Sequence, residues 1–188
     1  KDGFMPKVLE AYEYMIENAP KEYKVDIPFV LGPLGLATEV RGMSQVFSDM
    51  FRNPELLHKL LEVCVRTEIE YIKALEDVSG GLEFIFIGDD IPGLVSQKFA
   101  DEFGFNYMKR IYDSFKGTIR VYHNDSKTMH MLEQIGDLGV QLFNFSFQNE
   151  LKETKERIGD RVCLWGNVEP IGIFRSGTPE QIEEICKK

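Results

Sequence analysis

Along this chain the apolar positions switch repeatedly between a helical period and short continuous runs. In residues 3–19, Met5, Val8, Leu9, Tyr12, Met15 and Ile16 recur three and four apart, which predicts an amphipathic helix. Residues 26–31 (DIPFVL) read as a strand leaving through the tight turn Gly32-Pro33-Leu34-Gly35. A helix over 36–41 follows and stops near Gly42. Asn53-Pro54-Glu55 is a strong helix start, with an N-cap residue, a proline at N1 and an acid in the first turn. That helix runs to about Asp77 on a stripe of Leu57, Leu60, Leu61, Cys64, Ile69, Ile72 and Leu75, and Ser79-Gly80-Gly81 ends it. A second strand, 82–87 (LEFIFI), ends in Gly88-Asp89-Asp90. Ser96 caps the next helix, where Phe99, Phe103, Tyr107, Ile111 and Phe115 stand four apart and pack one face, and Gly117 closes it. The third strand is 119–123. A helix over 127–138, a strand over 141–145, a helix over 149–158 and a strand over 161–165 follow. Thr178-Pro179-Glu180-Gln181 opens a last helix with a capping box.

Continuous apolar strands joined by helices mean a parallel sheet, α/β in class. A five-stranded doubly wound sheet suits the length. A (β/α)8 barrel takes about 250 residues, so this chain would be part of one. The first residue is Lys1 and the last three are Cys186-Lys187-Lys188, one to two turns into a new helix. Those ends favour the partial barrel and a piece of a longer protein, with 1–188 as a single domain.

Charge narrows the partners. The formal net charge is −9, which disfavours nucleic acid and the cytosolic face of a membrane. No apolar run approaches the roughly 18–20 residues that span a bilayer. Cys64, Cys163 and Cys186 lie far apart in apolar settings, Cys163 inside a strand where core is expected. They read as free thiols in a reducing cytoplasm.

The chemistry gathers where strands end. The second ends in Asp89 and Asp90, the third in His123, Asn124 and Asp125. The fourth carries Asn144 and then Gln148, and the fifth ends in Asn167 and Glu169. In a parallel sheet these ends share one rim, where α/β folds put active sites. His123 with Asp89 or Asp90 forms the candidate catalytic set, for general acid/base work. Asn124, Asn144, Gln148, Asn167 and Glu169 line the expected substrate pocket. His123 and Asp125, two apart at a strand end, project to one side and can ligate zinc or another divalent ion. A third ligand would come from Asp89, Asp90, Glu169 or elsewhere. Each residue also has a structural reading, Asp89 and Asp90 as caps or turn residues and His123 as a hydrogen-bonded core histidine. His58 and His130 lie on helices and read as surface groups. Phosphate loops, dinucleotide fingerprints, nucleophile elbows and CxxC pairs are absent from the sequence.

The order of motifs resembles the uroporphyrinogen decarboxylase family, which includes the methylcobamide:thiol methyltransferases. The matching residues are Gly32-Pro33-Leu34-Gly35-Leu36-Ala37, Asn53-Pro54-Glu55, Ile87-Gly88-Asp89-Asp90 and Ser96-Gln97-Lys98-Phe99. Further along they are Tyr122-His123-Asn124-Asp125, Gly159-Asp160-Arg161-Val162, Trp165-Gly166-Asn167-Val168-Glu169-Pro170 and Gly177-Thr178-Pro179-Glu180. The resemblance implies a (β/α)8 barrel whose first and last strands are missing here, with its site at the C-terminal rim. The methyltransferase branch carries His-x-Cys-Gly at the central strand, and its zinc turns the acceptor thiol into a thiolate. Here Asp125 stands in the cysteine position and Ser126 in the glycine position. The decarboxylase branch uses no metal and binds its four-carboxylate substrate with arginines and an aspartate near the N-terminus. His-x-Asp inclines the reading toward methyl transfer between a corrinoid, carried on a partner protein, and a small acceptor. Porphyrinogen decarboxylation and a non-catalytic corrinoid or tetrapyrrole binder are the alternatives, and a homodimer is a candidate assembly.

Overall fold

The structure is a computed structural model that describes residues 3–187. Helix α1 (Met5–Asn18) is followed by β1 (Val30–Leu31), α2 (Pro33–Arg41), α3 (Met43–Arg52) and α4 (Pro54–Ser79). After β2 (Phe84–Gly88) come a 3-10 turn, the short α5 (Gln97–Phe99), a π-helical stretch (Ala100–Phe105) and α6 (Asn106–Ser114). The chain continues through β3 (Ile119–Asn124), α7 (Leu132–Asp137), β4 (Leu142–Phe145), α8 (Leu151–Ile158), β5 (Cys163–Trp165) and α9 (Pro179–Cys186). Among the described residues no helix is long and apolar enough to cross a membrane.

The five strands are all parallel and lie in the order β1-β2-β3-β4-β5. This decides between the two architectures. A doubly wound sheet reverses its strand order at a switch point, whereas a (β/α)8 barrel does not. Right-handed crossovers in strictly sequential order put every connecting helix on one face. Ile85, Ile87, Tyr122, Phe143 and Phe145 point to that face and join the core with Leu34, Leu57, Leu61, Ile72, Phe103 and Ile111. Tyr122 stacks on Phe143 with centroids 5.5 Å apart, and the Tyr112 hydroxyl donates to the Val121 carbonyl at 2.7 Å. The alternate residues Phe84, Phe86, Val121, His123, Leu142, Asn144, Cys163 and Trp165 face the helix-free side.

Several expectations change in detail. The strand over 26–31 shrinks to Val30–Leu31, the two residues with a partner in β2. Pro28 has no N–H to offer a ladder. Cys163, expected in the core, is exposed, because its parity in β5 turns it to the helix-free side. The helix over 127–138 is a 3-10 turn (Met129–Met131) and then Leu132–Asp137. The helix over 149–158 begins at Leu151, with Asn149 turned inward. Asn53 precedes α4 without capping it by its side chain; its amide donates to Asp49 Oδ1 at 2.8 Å instead. Of the α1 stripe only Tyr12 is buried. The capping box at Thr178 and Gln181 is formed in both directions.

The π-helical stretch answers a feature of the sequence. Apolar residues four apart drift around a helix of 3.6 residues per turn. One wider turn absorbs the drift, so Phe103, Tyr107, Ile111 and Phe115 are all buried on one face.

Candidate functional site

His123 stands at the C-terminal end of the central strand. Gly88, His123, Asn144 and Trp165 are register partners on successive strands, so they form a row across the helix-free face. Asn144 Nδ2 donates to the Trp165 carbonyl at 2.8 Å. That orients Asn144 Oδ1 toward His123 Nδ1, 2.6 Å away, where it accepts a hydrogen bond. Nδ1 therefore carries a proton, and in the neutral ring the lone pair is on Nε2. Nε2 faces Asp125 Oδ2 at 3.6 Å.

The turn carrying Asp125 is tied down from both sides. Its N–H donates to Asp90 Oδ1 at 2.6 Å. Ser126 donates to Asn124 Oδ1 through N–H at 2.8 Å and through its hydroxyl at 2.5 Å. Gly93 makes room for that hydroxyl, since a Cβ there would lie 1.8 Å from Ser126 Oγ. Asn124, expected in the substrate pocket, is fully buried on the helix side; its amide donates to the Asp89 carbonyl at 2.7 Å and the Tyr122 hydroxyl at 2.9 Å.

Asp89 shares the rim but sits on the other side of the sheet. It is 1% exposed and accepts from the N–H groups of Leu34 (3.2 Å), Gly35 (3.1 Å) and Ile91 (3.2 Å). Its carboxylate therefore caps the start of α2. The turn motif Gly32-Pro33-Leu34-Gly35 follows from this contact: a Cβ on Gly32 would come within 2.5 Å of Asp89, and one on Gly35 within 3.1 Å. Burial pushes the Asp89 carboxyl up to about 7, against the opposing pull of the three N–H donors. Beside it lies a carboxyl the motifs did not single out. Glu68 on α4 is 4% exposed, and neither oxygen has a hydrogen-bond partner among the described residues. Burial, reinforced by the Asp89 charge, pushes it up to about 9. The spacing Leu61, Cys64, Glu68, Ile72, Leu75 puts it on the buried stripe, a signal available in the sequence.

The remaining expected residues are dispersed. Gln148 is exposed in the turn after β4. Asn167 ties loops together, its amide donating to the carbonyls of Ser146 (3.2 Å) and Asn149 (2.9 Å). Glu169 is half-buried where the chain enters the Pro170–Arg175 turn, packed over Gly172. His130 is exposed; His58 is half-buried, stacked on Phe103 and within 2.8 Å of the Tyr107 hydroxyl. The sequence reading missed the aromatic residues around His123. Phe29 contacts Phe86, which in turn contacts Trp165 and the imidazole. Gly88 allows this, because a Cβ there would lie 2.1 Å from the Phe29 ring.

The donors at His123 fit part of a metal centre. Two ligands of one tetrahedral ion, each about 2.1 Å from it, stand about 3.4 Å apart. The 3.6 Å between Nε2 and Oδ2 is close to that. A lone pair and a carboxylate facing each other also call for a positive charge between them. Among the described residues no third His, Cys, Asp or Glu joins the pair, so they offer a divalent ion two donors and no more.

Known proteins similar to this chain share its fold. The family model described as uroporphyrinogen decarboxylase (URO-D) matches residues 1–188. The methylcobamide:CoM methyltransferase MtbA of Methanosarcina acetivorans is 28% identical, over 100% of this chain and 55% of its own length. The uroporphyrinogen decarboxylase of Vibrio campbellii is 30% identical, over 90% of this chain and 50% of its own length. A solved methyltransferase structure from Methanosarcina mazei superposes with a TM-score of 0.83 at 24% identity, covering 98% of this chain and 55% of that one. The fold is therefore that of part of a (β/α)8 barrel, and the chain spans about half the length of the curated relatives it matches. The chain belongs to the uroporphyrinogen decarboxylase family.

Proposed function

We propose that this rim takes part in methyl transfer between a corrinoid, carried on a partner protein, and a small acceptor. The observation that carries the reading is the pair of His123 Nε2 and Asp125 Oδ2 at 3.6 Å, with the imidazole tautomer held by Asn144. A bound divalent ion such as zinc would be held by His123 Nε2 and Asp125, and would supply Lewis-acid activation of the acceptor. Asn144 keeps the proton on Nδ1 and turns Nε2 toward the reacting side, the role such outer partners play for ligating histidines. Asp90 fixes the Asp125 backbone and so the reach of its carboxylate. Asp89 serves this reading as the anchor of α2 and the adjoining turn, since its oxygens are engaged by backbone N–H groups.

Porphyrinogen decarboxylation is the second reading. Relatives bearing that name are 27–30% identical, similar to the methyltransferases, and a carboxyl held at about 7 in Asp89 has the pKa of a general acid.

The test pairs elemental analysis of protein purified without chelator with a methyl-transfer assay, on wild type and His123→Ala. Stoichiometric zinc and turnover in the wild type, both lost in His123→Ala with the fold intact, are expected. Wild-type turnover in the variant would sink the assignment. Asn144→Leu should lower turnover about 10–100-fold with little change in stability.

A further inference from the structure

The row His123, Asn144 and Trp165 has a counterpart beyond the strand ends, in the loops that continue the same three strands. Asn149, two residues before α8, is its hub. It is 2% exposed, and Thr128, from the loop after β3, is fully buried. Asn149 Oδ1 accepts from the Thr128 N–H at 2.9 Å, and Asn149 Nδ2 donates to Thr128 Oγ1 at 2.5 Å. A backbone N–H can only donate, so this pairing also fixes which end of the Asn149 amide is oxygen. The Asn149 main chain is held as well. Its N–H donates to the Ser146 carbonyl at 3.1 Å, and its carbonyl accepts from Asn167 Nδ2 at 2.9 Å. One residue thus joins the loops after β3, β4 and β5.

An asparagine that only closed its own turn would bond within that turn. Both ends of this amide cross instead to a residue 21 positions earlier in the chain. The loops so joined continue the strands that carry the site. Thr128 follows His123 and Asp125, Asn149 follows Asn144, and Asn167 follows Trp165. His123 Nδ1 meets Asn144 Oδ1 at 2.6 Å across one strand gap, and Asn144 takes its orientation from the Trp165 carbonyl, 2.8 Å away across the next. Both bonds depend on how the three strand ends stand to one another. The β4–β5 ladder has three register pairs, and Asn144–Trp165 is the last of them, at the end where ladders fray. The tie through Asn149 lies just beyond that end. Its centre is sealed from water, where polar bonds are stiff, and all its donors and acceptors belong to this chain, so it does not depend on what faces His123 across the helix-free side.

We propose that Asn149 is a positioning residue for His123: through Thr128 and Asn167 it sets the spacing of three strand ends and so keeps the imidazole on Asn144. Its effect on turnover rests on the methyl-transfer reading; its effect on the imidazole does not.

The experiment compares Thr128→Val and Asn149→Ala with Thr128→Ser. Valine removes the acceptor of Asn149 Nδ2 and keeps a branched side chain, whereas serine keeps the acceptor. The first readout is the proton NMR signal of His123 Nδ1–H, assigned by its absence in His123→Ala. It should be lost to solvent exchange in Thr128→Val and Asn149→Ala, with the fold intact by circular dichroism, and retained in Thr128→Ser. The second readout is methyl-transfer kinetics. There kcat should fall about 10–100-fold in the first two variants with KM little changed, and Thr128→Ser should recover it to within about threefold. Asn167→Ala removes the tie to β5 from a half-buried position and carries the same expectations if the buried variants do not fold. A His123 signal unmoved in the folded variants would make the tie a matter of stability only, and a KM raised at unchanged kcat would make it a matter of substrate contact; either overturns the proposal. Loss of the signal as expected, with no methyl transfer by the wild type, would count against the proposed function alone. Methyl transfer at unchanged kcat in the variants would count against this positioning role alone.

Discussion

Glu68 and Asp89 are both carboxyls sealed from water, at 4% and 1% exposure, yet their surroundings are opposite. Asp89 meets three backbone N–H groups from two segments and fastens them together. Glu68 projects from the middle of α4 into the core and meets no donor among the described residues. Of the two, Asp89 is the one equipped to hold a negative charge, and Glu68 is the one driven to keep its proton. Burial alone therefore says little about what a carboxyl does; the donors around it decide.

Removing Asp89 should have the largest effect. Asp89→Ala leaves three buried N–H groups without an acceptor and should cost about 3 kcal/mol or more in urea unfolding at pH 8. Asp89→Asn, keeping one acceptor oxygen, should fall between. A loss under about 1 kcal/mol would mean the cap is not what holds α2.

Glu68→Leu should act in the opposite direction. The folded state holds a proton that the unfolded chain releases above its ordinary carboxyl range. The stability of the wild type should therefore fall as pH rises from about 4.5 to about 9, and level off beyond. The substitution should add on the order of 3 kcal/mol at pH 7 and flatten that part of the profile. Asp89, also raised, adds a smaller total fall of the same sign, complete by about pH 7. An unchanged slope between pH 7 and 9 in Glu68→Leu would show that Glu68 is ionised in the fold.

The smallest effect belongs to a carboxylate in water. Glu62 pairs with Arg110 through bonds of 2.6 and 2.8 Å, but both side chains are about half exposed. Arg110 holds the Glu62 carboxyl below its usual range. Glu62→Gln should cost about 0.5 kcal/mol, less in high salt. A loss comparable to that of Asp89→Ala would break the ordering by donor set and burial.

The alternation of strands and helices was legible because buried parallel strands and amphipathic helices leave distinct periods. The same continuity hid which way each strand faces. In Cys163-Leu164-Trp165 every side chain is apolar, so nothing marks Leu164 as the inward one and Cys163 and Trp165 as facing away from the helices. Asp89 and His123 were rightly brought to one rim but belong to opposite sides of the sheet, a distinction that needs the β2–β3 register. Asn124 and Asn144 look alike in sequence; parity makes one a buried tie and the other the partner of the imidazole. Phe29 lies outside any paired strand, and its place beside His123 depends on a bare Gly88 two segments away.

The wide turn over Ala100–Phe105 sets the phase of everything after it. Each residue of an α-helix is about 100° of rotation. Deleting one residue from 100–105 would let the segment close into ordinary helix with α6 in nearly the same phase, because the wide turn spends its extra residue without adding rotation. Ile111 and Tyr112 would then stay in the core, and the Tyr112 hydroxyl would keep the Val121 carbonyl of the strand that carries His123. The wide turn thus works as a slot for one surplus residue: a variant shortened by one should keep both its helix content and the alignment of the central strand, whereas ordinary helix at full length would swing α6 by about 100°.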